Sequence, residues 1–342
     1  MVEAKVFLYL FFLLSKAIEL KIQGIHTATI GSFPLEDSLD NRKRCIEDLL
    51  NIGVEFPNYP QLINMGKQFL DDLAKQDCGI VKDDGGYLLK KEYIQEPASP
   101  PGLELYRWTV DYLKNKGALE RVGLKASVTG PFTLASYVKT GSGTFPSNTT
   151  VADIEKVRQL ATAISGCCRA FAKDAYVISI DEPILSVIVG RRVLFKYDEE
   201  DIIEIYNGLK ELCGGRIIGT HVCGRISPGL AKILLRTELD FLSHEFHDTT
   251  ENFDVYNPKG LEENRKVLSV GCVSSKNPKV EPIEEVLNIM NRSREYGENL
   301  IFTPDCGFKK LTVEGSLEHA YRIATEKLRN MVEAARRFEV GI

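Results

Sequence analysis

The sequence carries no dense block of lysine and arginine. Its 43 basic residues are outnumbered by 48 acidic ones, for a formal charge of −5 and a pI near 5.7. The chain therefore offers no electrostatic footprint for a nucleic-acid backbone, and small-molecule chemistry is the expectation. No Pro-, Gly- or Ser-rich linker divides the 342 residues, which makes a single domain the simplest reading. No His-x-His pair occurs among the 5 histidines, which argues against a zinc-barrel hydrolase, whose sites are rich in His and Asp. The 8 cysteines are spread thinly, unlike the dense framework of a small secreted domain. Reduced thiols or metal ligands are expected in place of disulfides, and a reducing cytosol is the expected setting. The continuous apolar run from Val6 to Leu14, preceded by Lys5, imitates the core of a signal peptide. It is too short to span a bilayer, Glu3 weakens the basic flank, and Ser15-Lys16-Ala17 makes a poor cleavage site. Residues 1–20 are read as an N-terminal extension, either a helix packed on the domain or residues from an upstream start codon, with no membrane partner.

What is present, from residue 21 to residue 342, is an alternation of short β-rich runs with longer helical stretches. Eight such runs can be counted: Ile25 to Pro34, Gly53 to Pro60, Leu124 to Pro131, Ala175 to Pro183, Arg216 to Arg225, Leu239 to Phe246, Lys266 to Val273 and Asn299 to Gly307. Helical spacing fills most of the intervals, notably Leu62 to Leu73, Leu105 to Lys116, Val151 to Lys173, Glu199 to Cys213, Ile283 to Tyr296 and Ser316 to Phe338. Residues 76–101, with Asp83-Asp-Gly-Gly86, read as a long excursion. Parallel strands need helical crossovers, so the pattern fits an α/β fold of the (β/α)8 TIM-barrel type. A doubly wound open sheet is the alternative. The barrel is favoured because the chemically interesting residues fall at the C-terminal ends of the runs, and a barrel gathers those ends at one mouth.

The fifth run holds His221 and Cys223. In extended backbone, residues i and i+2 point the same way, so the two side chains project together. Glu245 closes the sixth run and Cys306 the eighth. One imidazole, two thiols and a carboxylate suit tetrahedral Zn²⁺. The four come from three separate runs, so this is a cleft site made by the fold and not a finger-type loop. Each residue also has a plainer reading, Glu245 as a salt-bridged rim residue and Cys306 as a small side chain buried in a turn. His244 has the wrong strand parity and would face the helices, and His247 lies past the strand end, where it would be solvated.

Ile30-Gly-Ser-Phe-Pro34, Thr129-Gly-Pro-Phe-Thr133, Ile180-Asp-Glu-Pro183, His221-Val-Cys223, Glu245 and Pro304-Asp-Cys-Gly307 occur in the order found in the catalytic barrel of cobalamin-independent methionine synthases. The chain resembles a short, single-barrel form of that family, related to the uroporphyrinogen decarboxylase superfamily and its corrinoid methyltransferases. The resemblance runs from about residue 25 to 330. It implies a zinc-dependent methyltransferase that makes L-methionine from L-homocysteine. His221, Cys223, Glu245 and Cys306 would hold the zinc, Ile30, Gly31, Ser32 and Asp181 would bind the carboxylate and amino groups of the substrate, and Glu182 would support the site. The plain alternatives are an ordinary turn for Ile30-Gly-Ser32 and a helix N-cap for Asp181. The chemistry agrees: zinc removes the proton of a bound thiol. Two thiolates and a carboxylate give the ion an excess negative charge, which disfavours water activation and leaves a bound substrate sulfur electron-rich.

The departures concern the methyl donor. Folate-using relatives have a second, N-terminal barrel and stack the pterin on a Trp, where this chain has Tyr137. The Glu they offer to the substrate amine has no clear counterpart, with Glu55 and Gln61 as candidate substitutes. The His that serves as proton donor on their seventh strand is replaced by Cys272-Val-Ser-Ser275. A methylcorrinoid, free or protein-bound, is the expected donor ahead of methyltetrahydrofolate. Methyl transfer to another thiol such as coenzyme M, and a zinc-stabilised barrel that only binds a metabolite, are the rival readings.

Overall fold

A computed structural model describes residues 21–313 and 315–341; the expected N-terminal extension lies outside the described residues. Seven parallel strands form one sheet: β1 (Ile25–Thr27), β4 (Lys125–Thr129), β6 (Val177–Asp181), β7 (Ile217–His221), β8 (Phe241–Glu245), β9 (Val267–Val273) and β10 (Leu300–Pro304), in the spatial order β1-β10-β9-β8-β7-β6-β4. Sequential strands from β6 to β10 are neighbours and β1 pairs with β10, so the sheet curls round. The gap between β1 and β4 is filled by the second β-rich run. Phe56 bridges Ala28 and Asn58 bridges Lys125, both in the parallel sense. This run makes isolated bridges and not a full ladder because Pro57 and Pro60 remove two amide donors from it. The TIM barrel expected from the sequence is therefore the fold, with one irregular stave.

The crossover helices α1 (Leu39–Ile52), α2 (Met65–Lys75), α3 (Leu103–Asn115), α5 (Ile154–Phe171), α7 (Glu199–Glu211), α8 (Pro228–Arg236), α10 (Ile283–Arg292) and α11 (Leu317–Val340) form the outer layer, joined by the short α4 (Pro131–Tyr137), α6 (Leu185–Ile188) and α9 (Pro258–Glu263). Their starts follow local chemistry. Ser38, Asp153, Ser227 and Ser316 each accept a backbone amide at a helix N-terminus, and Asp198 forms a reciprocal capping box with Asp201. The residues 76–101, read as an excursion, contain a hairpin, β2 (Ile80–Asp83) and β3 (Gly86–Leu89), which β5 (Val138–Lys139) extends to three strands. The chain turns through Asp84-Gly85, and Gly86 after them takes a φ of 117°, a conformation that favours glycine.

Strand alternation sorts the wall. Outward positions such as Ile178, Ile180, Ile218, Leu242, Leu268 and Phe302 join the main core under the helices. Inward positions build the barrel in layers. At the N-terminal end Ile22, Ala28, Phe56, Val177, Ile217, Phe241 and Ile301 make a separate apolar floor. Above it the inward residues turn small and polar: Ser127, Ser179, Gly219, Ser243, Ser269 and Thr303 are all on inward-facing strand positions. The side chains at this level are buried, and barrels of this type place their chemistry at the C-terminal mouth above it. No described helix is long and apolar enough to cross a membrane.

Candidate active site at the barrel mouth

The last inward residue of β7 is His221, which is 2 % exposed. Its Nδ1 lies 3.1 Å from Ser243 Oγ on β8 and its Nε2 lies 3.0 Å from Cys223 Sγ. Holding one ring nitrogen on a hydroxyl fixes the ring's orientation and commits the other to the site. Ser243 was not singled out from the sequence, although its parity with Glu245 on the same strand was the available signal. Cys223 stands two residues further on, and its Sγ is 3.0 Å from Cys306 Sγ. That separation is far longer than a disulfide, about 2.0 Å, and puts the two free thiols within hydrogen-bond reach of each other. The Cys223 thiol is pushed well up by its bond to Cys306 and by burial. The Cys306 thiol is held well below its ordinary value by the bond from Cys223, with His221 assisting.

The ligand atoms of His221, Cys223 and Cys306 all lie within 4.8 Å of one another. Tetrahedral zinc with bonds of about 2.0–2.3 Å requires ligand atoms roughly 3.3–3.8 Å apart, so these three fit the ion with small adjustments. Cys306 follows the end of β10, where the pairing with β9 shifts register and leaves Cys272 of β9 unpaired between Gly271 and Val273. Glu245 is on the same rim and buried, but outside this mutually close set. Its two carboxylate oxygens each lie 3.3 Å from Lys276 Nζ, and Thr249 donates a hydrogen bond to one of them at 3.2 Å. The structure thus brings three of the four expected ligands together and leaves the fourth on a lysine.

Two buried residues missed in the sequence tie the rim together. Asp305, next to Cys306, accepts the backbone amides of Phe246, His247 and Asp248 at 2.7–3.0 Å, so the ends of β8 and β10 are fastened to each other. Gly271 makes room for it, since a Cβ there would lie 2.4 Å from Asp305 Oδ1. Burial pushes the Asp305 carboxyl up to about 7, against the pull of those amides. Asn252 donates to the carbonyls of Glu245 and Gly224 and accepts from the Ile226 amide. Asp305 lies within the Pro304-Asp-Cys-Gly307 motif, but neither its role nor that of Asn252 leaves a sequence signal, because each works through backbone groups. His247, expected to be solvated, is half-buried and paired with Asp248 at 2.9 Å and Glu285 at 3.4 Å. His244 does face the helices, bonded to Val222 O and Tyr256 Oη.

On the other side of the mouth, Asp181 ends β6 directly opposite His221 in the parallel register. It accepts from Ser179 Oγ at 2.5 Å, and burial raises its carboxyl while Lys125 and His221 oppose that rise. It caps no helix. That role belongs to Glu182, whose carboxylate accepts the Phe132 and Thr133 amides at 2.9 and 2.6 Å. Thr129-Gly-Pro-Phe-Thr133 and Ile180-Asp-Glu-Pro183 are therefore two halves of one joint. Ile30-Gly31-Ser32 forms the turn after β1 and is joined to the Cys306 turn: Phe308 donates to Ser32 O at 2.8 Å, and a Cβ on Gly307 would fall 2.0 Å from Ser32 Oγ. Gly31 has a φ of 129° and abuts Asn58 and Gln61. Gln61 accordingly lies at the mouth, hydrogen-bonded to Asn58 and to Tyr59 Oη. Glu55 does not; it pairs with His26 beside the floor and accepts the Thr27 amide. Tyr137, at the end of α4, packs its ring on Gly66 and lines a cleft of about 500 Å³ with Lys67, Lys82, Lys139 and Phe145.

A parallel α/β barrel whose mouth carries two adjacent cysteines and an oriented histidine has the donor set of a candidate thiol-ligand metal site. Residues 102–337 match the family model described as "Cobalamin-independent synthase, Catalytic domain", and the chain belongs to the cobalamin-independent methionine synthase family. It is 31% identical over 335 residues to a methionine synthase from Methanothermobacter thermautotrophicus, covering 90% of this chain and 99% of that one. A methionine synthase from Methanocaldococcus jannaschii is 28% identical over 232 residues, covering 64% of this chain and 66% of the other. Among solved structures, a B12-independent methionine synthase from a Shewanella species in complex with selenomethionine superposes with a TM-score of 0.62 at 15% identity, over 93% of this chain and 100% of that chain. The family makes the chain a homocysteine S-methyltransferase.

Proposed function

We propose that the chain transfers a methyl group to the thiol of L-homocysteine on a zinc ion held by His221, Cys223, Cys306 and Glu245, and that the donor is a methylcorrinoid. The observation that carries the zinc assignment is the convergence of one imidazole nitrogen and two sulfurs within 4.8 Å, a donor set that suits zinc. When bound, zinc supplies the charge that strips the thiol of its proton and leaves the sulfur as a nucleophile. The chain's own residues do the rest. Asp181, opposite His221, is in position to pair with the substrate ammonium. The Ile30-Gly31-Ser32 turn, fastened to the Cys306 turn, offers backbone and hydroxyl donors to the carboxylate.

Asn58 adds a further polar group beside that turn. Its Oδ1 is buried without a hydrogen-bond partner, and an orphaned acceptor of this kind is suited to the ammonium that relatives meet with a Glu. For the donor, support comes from Tyr137 standing where folate-using relatives have a Trp. Cys272-Val-Ser-Ser275 also provides no imidazole, and Cys272 turns away from the mouth to bond Thr303 O. The test is a homocysteine assay of the zinc-loaded chain with methylcobalamin and methyltetrahydrofolate in parallel, coenzyme M replacing homocysteine in a third arm. Turnover with methylcobalamin and homocysteine is expected; turnover only with the folate overturns the donor, and preference for coenzyme M overturns the acceptor.

A further inference from the structure

Resting on the zinc–thiol reading above, the geometry points to Lys276 as a positioning residue that competes with the metal for the Glu245 carboxylate. We infer that it holds this carboxylate whenever the substrate thiol takes its place on zinc.

Glu245 is 3% exposed at its side chain, and a buried carboxylate with no counter-charge is costly. Displacing it from a metal therefore requires somewhere for it to go. Lys276 Nζ sits 3.3 Å from both of its oxygens, which satisfies the carboxylate as a whole. The lysine has a fixed base and a movable arm. Its backbone amide donates to Ser274 Oγ at 3.2 Å, and the Asn277 amide donates to the same oxygen at 3.0 Å. Ser274 Oγ in turn donates to Asp248 at 2.7 Å, and the Ser274 amide donates to Glu281, which is locked to the fully buried Lys327 of α11 at 2.6 and 2.8 Å. The Lys276 side chain, by contrast, is 55% exposed. The carboxylate thus has two partners available on the same rim, the lysine and the metal site.

The linkage is quantitative. Lys276 stabilises the two states in which Glu245 is off the metal, the zinc-free chain and the zinc–homocysteine complex, and not the state in which Glu245 is a ligand. Removing the lysine must then tighten zinc binding and weaken homocysteine binding by the same factor. A lysine that merely braces the rim would weaken both.

The experiment measures zinc affinity by competition with a chromophoric chelator, and homocysteine affinity of the zinc-loaded chain by calorimetry, in the wild type, Lys276→Met, Lys276→Arg and Lys276→Met in a Glu245→Gln background. Lys276→Met is expected to bind zinc about tenfold more tightly and homocysteine about tenfold more weakly. Lys276→Arg should stay near the wild type, and the effect on zinc should vanish in the Glu245→Gln background. Zinc affinity that falls or stays level in Lys276→Met overturns the inference, as does an unchanged homocysteine affinity. If wild-type zinc-loaded chain binds no homocysteine, the functional reading fails and this inference with it; if the wild type binds and Lys276→Met matches it, only this inference fails.

Discussion

At Gly130 a single methyl group decides whether two sequence motifs can meet. A Cβ there would lie 2.2 Å from the Glu182 carboxyl, which must stay in place to cap α4. Gly130→Ala is expected to destabilise the fold by about 1–3 kcal/mol through overpacking, readable as a lower denaturation midpoint; an unchanged midpoint would mean that Glu182 is free to move. Cys223→Ser and Cys306→Ser act on the site and not on the fold. Each removes a proposed thiolate ligand, so on the zinc reading each is expected to lose nearly all zinc on dialysis, checked by metal analysis, while circular dichroism stays that of the wild type. These candidate ligands were legible in the sequence because each sits at the end of a β-run, where barrel geometry gathers side chains at one mouth. Ser243, Asn252 and Asp305 were not, because they act by orienting a ring or gripping backbone amides, and such bonds follow no sequence period. His247 was misjudged for a related reason. Lying past a strand end usually means solvent, but here the carboxylates of Asp248 and Glu285 enclose it.

Elements carry the electrostatics of the two ends of the barrel. Near the floor, His26 of β1 pairs with Glu55 of the irregular stave at 3.5 Å, and its pKa is raised by that carboxylate, against burial. A raised histidine stabilises the fold fully below its unfolded value of about 6.5 and loses that contribution as pH rises through the folded value. The melting-temperature gap between wild type and His26→Gln should therefore be wider at pH 6 than at pH 8.5; an equal gap would deny the pair a role. At the mouth, α11 reaches the turn after β9 through Lys327 and Glu281. Lys327→Met leaves the Glu281 carboxylate buried and unpaired, a loss of about 3–5 kcal/mol. Adding Glu281→Gln should restore part of it in urea denaturation, and no restoration would show that the lysine matters only for packing. Helix limits were readable from the sequence to within a few residues because caps and apolar spacing agree. The hairpin β2–β3 was missed although Asp84-Gly85 signals it, since it belongs to no barrel repeat. The second run was expected as a full strand, and its two prolines reduce it to bridges.

The whole molecule is a barrel with an apolar floor, a small-residue polar middle and a reactive mouth. That gradient explains why chemistry collects at one end. The inward positions change from Val177 to Ser179 to Asp181 along β6, from Ile217 to Gly219 to His221 along β7, and from Phe241 to Ser243 to Glu245 along β8. The same change was visible in the sequence once the runs were aligned by their ends, and it favours the barrel over an open sheet, where these ends would not converge. What no single run reveals is the place of Glu245, because its contact with Lys276 joins the end of β8 to the turn after β9. Zinc-edge X-ray absorption of the zinc-loaded chain, with and without homocysteine, tests the central claim most directly. The account predicts a shell of one nitrogen, two sulfurs and one oxygen, in which homocysteine replaces the oxygen with a third sulfur. A zinc shell that homocysteine leaves unchanged would contradict it.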